Sequence, residues 1–150
     1  MKRILLTITL IVATIGLFSC SSDSTTNNNT VTNSFNVSGT AFSNVMVTCT
    51  SVGGGYVMNA SDLSGSASSL NFAFPSTAMP TAGTYNVDGS GAGQVIVAVV
   101  VNTESFAATT GSVTITIVGG KVKAVCNNLP LSKVADPTKT KSVTATLQCS

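Results

Sequence analysis

Hydrophobic and polar residues alternate in short runs along most of this chain, and a period of two is typical of β-strands. Between Phe35 and Cys149 no segment shows the period of a helix, and Gly, Pro, Asn and Asp separate the runs. The pattern predicts ten strands: Phe35–Phe42, Val45–Thr50, Tyr56–Ala60, Leu70–Phe74, Thr84–Val87, Gln94–Val101, Phe106–Thr109, Ser112–Val118, Lys121–Cys126 and Val143–Cys149. We therefore predict an all-β fold, a single antiparallel β-sandwich of about eight to ten strands, with a calycin-like β-barrel as the alternative.

The Gly119-Gly120 dipeptide predicts the pairing of its two flanking strands. A two-residue Gly-Gly loop suits a type I′ turn, because that turn needs positive φ at both positions. Such a turn places Val118 opposite Lys121, and each apolar residue on one face then meets an apolar partner. The predicted pairs are Ile117 with Val122, Ile115 with Ala124 and Val113 with Cys126.

Two other glycine-rich segments, Ser51–Gly55 and Asp88–Gly93, predict the loops of further hairpins. The strand that follows the second segment, Gln94–Val101, ends in seven consecutive apolar residues. An uninterrupted apolar run of this length is typical of a strand that is covered on both faces, so we expect it near the centre of a sheet.

The amino-terminal region has a different pattern. Met1-Lys2-Arg3 is positively charged, and the apolar run Ile4–Phe18 is shorter than the roughly 20 residues that span a membrane. It is typical of the hydrophobic part of a secretory signal. Leu17-Phe18-Ser19-Cys20 resembles the lipobox of bacterial lipoprotein signal peptides, which implies cleavage before Cys20 and lipid attachment to that cysteine. Ser21 after the cysteine resembles an outer-membrane address. The alternative is a plain signal peptide or short anchor in which Cys20 is incidental.

These features divide the chain into three parts. Residues 1–19 are a predicted signal peptide, residues 20–33 a lipidated cysteine with a Ser/Thr/Asn-rich tether, and residues 34–150 the β domain. The tether contains too little apolar surface to order itself and is predicted to be flexible. The expected location is the outer membrane, on either its periplasmic or its surface side.

The net charge of +2 comes from Lys2 and Arg3, which the predicted cleavage removes. The remaining five lysines balance five acids, so the composition does not indicate nucleic-acid binding. The lysines are Lys121, Lys123, Lys133, Lys139 and Lys141, and the acids are Asp23, Asp62, Asp88, Glu104 and Asp136. All five lysines follow residue 120. They suit a sheet edge protected against aggregation, or alternatively a docking face for an anionic partner.

Three cysteines follow Cys20, and alternation directs Cys49, Cys126 and Cys149 toward the core. An exported protein enters an oxidising compartment, which permits a disulfide. We predict the pair Cys126–Cys149, because the last two strands are expected to lie side by side. Bridges from Cys49 to either partner, or no bridge, remain alternatives, since the count is odd.

The chain offers little catalytic chemistry. It has no histidine, which excludes Ser-His and Cys-His nucleophiles and histidine-containing zinc sites. Asn86–Gly91 carries oxygen ligands but lacks the spacing of a calcium loop. A glycoside hydrolase would need two of Asp62, Asp88 and Glu104 within about 5–10 Å. We predict that the protein is not an enzyme and has neither a metal site nor a cofactor.

A family resemblance covers the β domain. The motifs Gly83-Thr84-Tyr85, Gly111–Thr116 and Lys121–Ala124 resemble the "GTY", "GxVxIT" and closing-hairpin segments of small β-rich lipoproteins of Bacteroidota. The resemblance implies an envelope location and carries no assigned activity. The predicted function is a lipid-anchored envelope protein with a non-catalytic interaction or structural domain. Its membrane contact would be the lipid on Cys20, and a protein or glycan partner is open. A small barrel that binds apolar ligands is the alternative.

Overall fold

The computed structural model describes residues 31–88, 91 and 93–150, and within these residues it contains eleven strands and no helix. The strands are β1 (Ser34–Val37), β2 (Thr40–Phe42), β3 (Val45–Val52), β4 (Gly55–Asp62), β5 (Ser69–Phe74), β6 (Gly83–Val87), β7 (Gln94–Val101), β8 (Glu104–Ala108), β9 (Ser112–Val118), β10 (Lys121–Lys133) and β11 (Asp136–Gln148). The predicted all-β fold is confirmed. The predicted signal peptide, Cys20 and most of the predicted tether lie outside the described residues. No helix among the described residues is long and apolar enough to span a membrane.

The strands form one continuous, mostly antiparallel sheet in the order β2-β1-β11-β10-β9-β6-β7-β5-β4-β3. Strand β8 lies off this path and pairs with both β7 and β10, which closes a ring of five strands. The sheet folds back on itself, because the edge strand β3 contacts the residues that follow β11. A disulfide joins Cys49 to Cys149, and the Ser150 hydroxyl donates to the Val47 carbonyl at 3.0 Å.

The connection between β6 and β7 differs from the prediction. Asp88–Gly93 was expected to be a hairpin loop, but β6 and β7 pair in parallel. A parallel connection ordinarily needs a dozen or more residues. Here only Asn86 and Val87 overlap the start of β7, opposite Gln94 and Val95, so a short loop suffices. The hairpin prediction is wrong because β7 continues beyond the end of β6 instead of returning along it.

The Gly119-Gly120 hairpin is confirmed. Its glycines have φ values of +58° and +76°, and Val118 pairs with Lys121. The predicted pairs Ile117–Val122 and Ile115–Ala124 are present, and the ladder ends at Thr114–Val125, one pair short of Val113–Cys126. Elsewhere a turn at Ser38-Gly39 divides the predicted strand Phe35–Phe42 into β1 and β2, which pair with each other.

The inward side chains form one hydrophobic cluster to which every strand contributes. Its fully buried members include Met58, Phe72, Val97 and Phe106. The prediction that β7 is covered on both faces is wrong, because Ile96 on its outer side is 51% exposed. The strand is central in the sheet, but only its inward valines are covered by the core.

The predicted Cys126–Cys149 disulfide is wrong, because Cys149 is bonded to Cys49 and Cys126 is a buried free thiol. The register of β10 and β11 explains the error. Cys126 lies opposite Ala145, whereas the Cys149 amide donates to the Val122 carbonyl at 2.9 Å. Four residues along a strand span about 13 Å, which a disulfide does not bridge. Burial raises the pKa of the Cys126 thiol to about 11.

Candidate functional site

The outer face of β3, β4, β5, β7 and β8 carries no charged residue among the positions described here. Alternation along each strand directs these side chains away from the core. We call this surface the uncharged face. Its residues are Met46, Thr48, Thr50, Val57, Asn59, Ser61, Ser69, Asn71, Ala73, Ile96, Ala98, Val100, Ser105 and Ala107.

The strand registers align these residues in rows that cross the sheet. The central row runs from Thr48 through Asn59 and Asn71 to Ala98. The Asn59 side-chain amide donates to the Asn71 side-chain carbonyl at 2.6 Å, and Ser61 Oγ donates to the Asn59 carbonyl at 2.7 Å. Because the amides are bonded to each other, their side chains lie along the sheet. The result is a central row of short side chains, ordered by hydrogen bonds between Asn59, Asn71 and Ser61.

One end of the uncharged face opens into an apolar groove with a volume of about 360 Å³. Val57, Ala73 and Ile96 lie opposite one another on neighbouring strands and line the groove. The turn that joins β3 to β4 forms one wall. Gly55, the first residue of β4 after this turn, lies so close to the Phe74 carbonyl that a Cβ atom there would be 2.7 Å from the oxygen. Only glycine therefore fits at this position without a shift of the backbone.

A second cavity, of about 230 Å³, lies on the other side of the Phe74-Pro75 segment. Met79 and Tyr85 line it, and the Tyr85 hydroxyl donates to the Thr81 carbonyl at 3.1 Å. The Phe74 and Tyr85 rings pack edge to face with 5.1 Å between their centroids. This packing fixes the wall between the two cavities.

The predicted candidate carboxylates have local partners. Asp62 accepts hydrogen bonds from the Ser64 and Ser66 hydroxyls, and these bonds hold the pKa of Asp62 below its ordinary value. Glu104 accepts a hydrogen bond from the Lys133 ammonium at 2.5 Å. That bond and the lysine's charge lower the pKa of Glu104. Both carboxyl groups are therefore favoured in the ionised form, as acceptors within the domain.

The carboxylates also lie apart. Asp88 accepts from Gln94 at the beginning of β7, whereas Glu104 pairs with Val101 at its end, about 23 Å along the strand. Asp62 ends β4, and two strands separate β4 from β8, a distance of about 14 Å between strand axes. The structure does not bring these three residues together as a catalytic pair. Among the described residues, no group of three or more His, Cys, Asp or Glu side chains could hold a metal ion.

The lysines do not form one surface. Lys121 and Lys123 lie at the start of β10, and Lys133 lies at its end, twelve residues further along. Lys139 and Lys141 lie near Lys133, and their charges also lower the pKa of Glu104. The ammonium of Lys141 lies 4.9 Å from the centre of the Phe106 ring. The charge segregation seen in the sequence therefore corresponds to two basic clusters at opposite ends of β10.

No protein-family model, curated protein or solved structure matches this chain. The site is therefore interpreted from its own geometry. Sequence reasoning predicted the strands of the uncharged face but missed the face itself. Part of the face could have been predicted, because alternation in each predicted strand already separates uncharged outer positions from core positions. What the sequence does not show is that β5 lies between β4 and β7, which brings Asn59, Asn71 and Ala98 into one row.

Proposed function

We propose that this protein is a lipid-anchored cell-envelope protein whose β domain is a non-catalytic interaction module. The anchor is the lipid on Cys20, and the expected location is the outer membrane. The lipobox-like Leu17-Phe18-Ser19-Cys20 supports this location. The Cys49–Cys149 disulfide is consistent with export, because disulfides persist in oxidising compartments.

The observation that carries the interaction role is the uncharged face. Free protein surfaces are ordinarily rich in charged residues, whereas the centres of interfaces are depleted of them. The face spans five strands, about 19 Å across, and presents Met46 and Ile96 with half of their surface exposed. Its apolar groove offers a place for one protruding side chain of a partner. None of the residues of the face is aromatic, which favours a protein partner over a glycan, since sugars stack on aromatic rings.

Site-specific cross-linking in the intact envelope tests the interaction. We expect a photoreactive residue at Asn71 to give a discrete adduct, because Asn71 lies at the centre of the uncharged face. Thr114 is the matched control, an exposed polar residue on the outer side of β9. An additional Ala98→Arg substitution beside Asn71 is expected to abolish the adduct. Equal adducts at Asn71 and Thr114, or an adduct that survives Ala98→Arg, would contradict the proposal.

The anchor is tested separately by cell fractionation. Cys20→Ala is expected to move the protein from the membrane fraction to the aqueous fraction, because no acyl chain remains to hold it. Cys126→Ala controls for the loss of a cysteine as such. If the Cys20→Ala protein stays with the membrane, the lipid anchor is refuted.

A second candidate function, binding of a small apolar ligand, is favoured by the groove. Its volume of about 360 Å³ lies at the lower end of the range of ligand pockets. Titration with an apolar fluorescent dye tests this function, and Ile96→Arg is expected to abolish dye binding at the groove. Dye binding that is equal in the wild type and in Ile96→Arg would place the dye elsewhere and refute this function.

A further inference from the structure

The chain enters the domain at one identifiable end. The Asn33 side-chain carbonyl accepts a hydrogen bond from the Gln148 amide at 2.6 Å, just before β1 begins. Gln148 pairs with Lys123 near the start of β10. The segment that would connect the domain to Cys20 therefore leaves beside the β9–β10 hairpin. We call this the tether end of the domain.

The tip of the β9–β10 hairpin is both apolar and basic. Ile117 is 38% exposed although it belongs to the inward pattern of β9, because the hairpin extends past its neighbour β6. Strand β6 begins opposite Ile115, so the last residues of β9 have only β10 beside them. Lys121 and Lys123 follow the turn, and the ladder between β9 and β10 contains no acid. The tip thus carries two cations on its outer face and an exposed aliphatic side chain on its inner face.

Other exposed apolar residues lie at the same end. The disulfide ties Cys49 of β3 to Cys149, and Ser51 Oγ donates to the Thr77 carbonyl at 2.6 Å. These contacts place the end of β3 and the loop between β5 and β6 at the tether end. Val52 at the end of β3 is 59% exposed and Met79 in that loop is 47% exposed. Together with Ile117, they give the tether end three exposed apolar side chains.

We propose that the tether end lies on the bilayer surface, with Ile117 in the headgroup region and Lys121 and Lys123 against lipid phosphates. This inference rests on the proposed lipid anchor. The tether predicted from the sequence would have an average span of about 20 Å as a random coil, so the proposed anchor would hold the hairpin close to the lipid. Lysines bind anionic lipid surfaces and exposed aliphatic side chains enter the interface, so a hairpin tip that meets the lipid end-on brings both of its faces to the headgroups. Among the described residues the far end of β10 also carries Lys133 and an exposed Val134, but the chain leaves toward Cys20 at the tether end.

Tryptophan fluorescence tests the orientation, because the chain contains no tryptophan. We compare Ile117→Trp with Val134→Trp in the full lipidated protein, reconstituted into phospholipid vesicles that contain an anionic lipid and brominated acyl chains. Val134 is the matched control, since it is 66% exposed in the turn at the other end of β10. We expect bromine quenching at least about threefold stronger for Ile117→Trp than for Val134→Trp, since only an interfacial side chain reaches the acyl chains. Equal quenching, or stronger quenching of Val134→Trp, would overturn the proposal.

Two further measurements identify which part fails. Adding Lys121→Glu and Lys123→Glu to Ile117→Trp is expected to reduce the quenching while the protein still floats with the vesicles. Unchanged quenching would refute the role of the lysines. If the wild type floats with the vesicles but the tryptophan of Ile117→Trp is not quenched, the orientation is refuted and the anchor is retained. If the wild type does not float, both the anchor and the orientation are refuted.

Discussion

The Cys49–Cys149 disulfide is expected to be the largest single covalent contribution to the stability of the domain. The two cysteines are 100 residues apart, so the bond constrains most of the unfolded chain. In the chain-entropy treatment, closing a loop of this length stabilises the folded state by about 4.7 kcal/mol. Measured effects are often smaller, so we expect the double variant Cys49→Ala/Cys149→Ala to lose about 3–5 kcal/mol of unfolding free energy.

Urea denaturation followed by circular dichroism measures this loss. The double variant is expected to unfold at a lower urea concentration. Its unfolding free energy should also depend more steeply on urea, because its unfolded state exposes more surface. Wild type in a reducing agent is expected to behave like the double variant. Cys126→Ala is the control, since it removes a buried thiol without removing the bond. A loss below about 1 kcal/mol in the double variant would refute the loop-closure reasoning.

Three further outcomes are expected. Cys126 should resist alkylation by iodoacetamide at pH 8 in the folded protein and react when urea unfolds it. The reason is that burial raises the pKa of its thiol to about 11. Modification of the native protein would contradict this burial. The Glu104 pKa is lowered by Lys133, so the contribution of this pair to stability is present above the ordinary value of 4.5 and is lost as the pH falls below it. Acid titration of unfolding should therefore show a smaller pH dependence in Glu104→Gln, and an unchanged dependence would refute the role of the pair. Gly55→Val should lower the unfolding free energy in urea by about 1–3 kcal/mol, because the valine Cβ would contact the Phe74 carbonyl. An unchanged unfolding free energy would show that the backbone near Gly55 relaxes.

The sequence predicted the local structure well and the long-range structure poorly. The β9–β10 hairpin was predictable, because the Gly119-Gly120 turn and the apolar alternation on both sides require the same register. The bounds of β7 and β9 were predicted without error. The disulfide was not predictable, because the proximity of Cys49 to Cys149 depends on how far the whole sheet folds back.

Two other errors have the same origin. Alternation of polar and apolar residues does not show whether a loop connects antiparallel or parallel strands, so the parallel pairing of β6 and β7 was missed. An apolar run such as Val95–Val101 does not show which of its faces lacks a covering layer, and Ile96 is in fact half exposed. The candidate site depends on the order of strands in the sheet, which single-strand patterns do not contain. Cys20 and its lipid remain predictions from the sequence.

For the exported protein proposed above, the disulfide would affect the order of folding events. Strand β3 lies at the edge of the sheet, and Cys149, the partner of its Cys49, lies 100 residues later in the chain. Until Cys149 follows, β3 is paired with β4 on one side, and its open side has no disulfide bond to the rest of the domain. Open strand edges of this kind aggregate readily. If the chain is exported as proposed, we expect export to depend on factors that shield the emerging strands, and oxidation of the bond to come only after Cys149 has crossed the membrane.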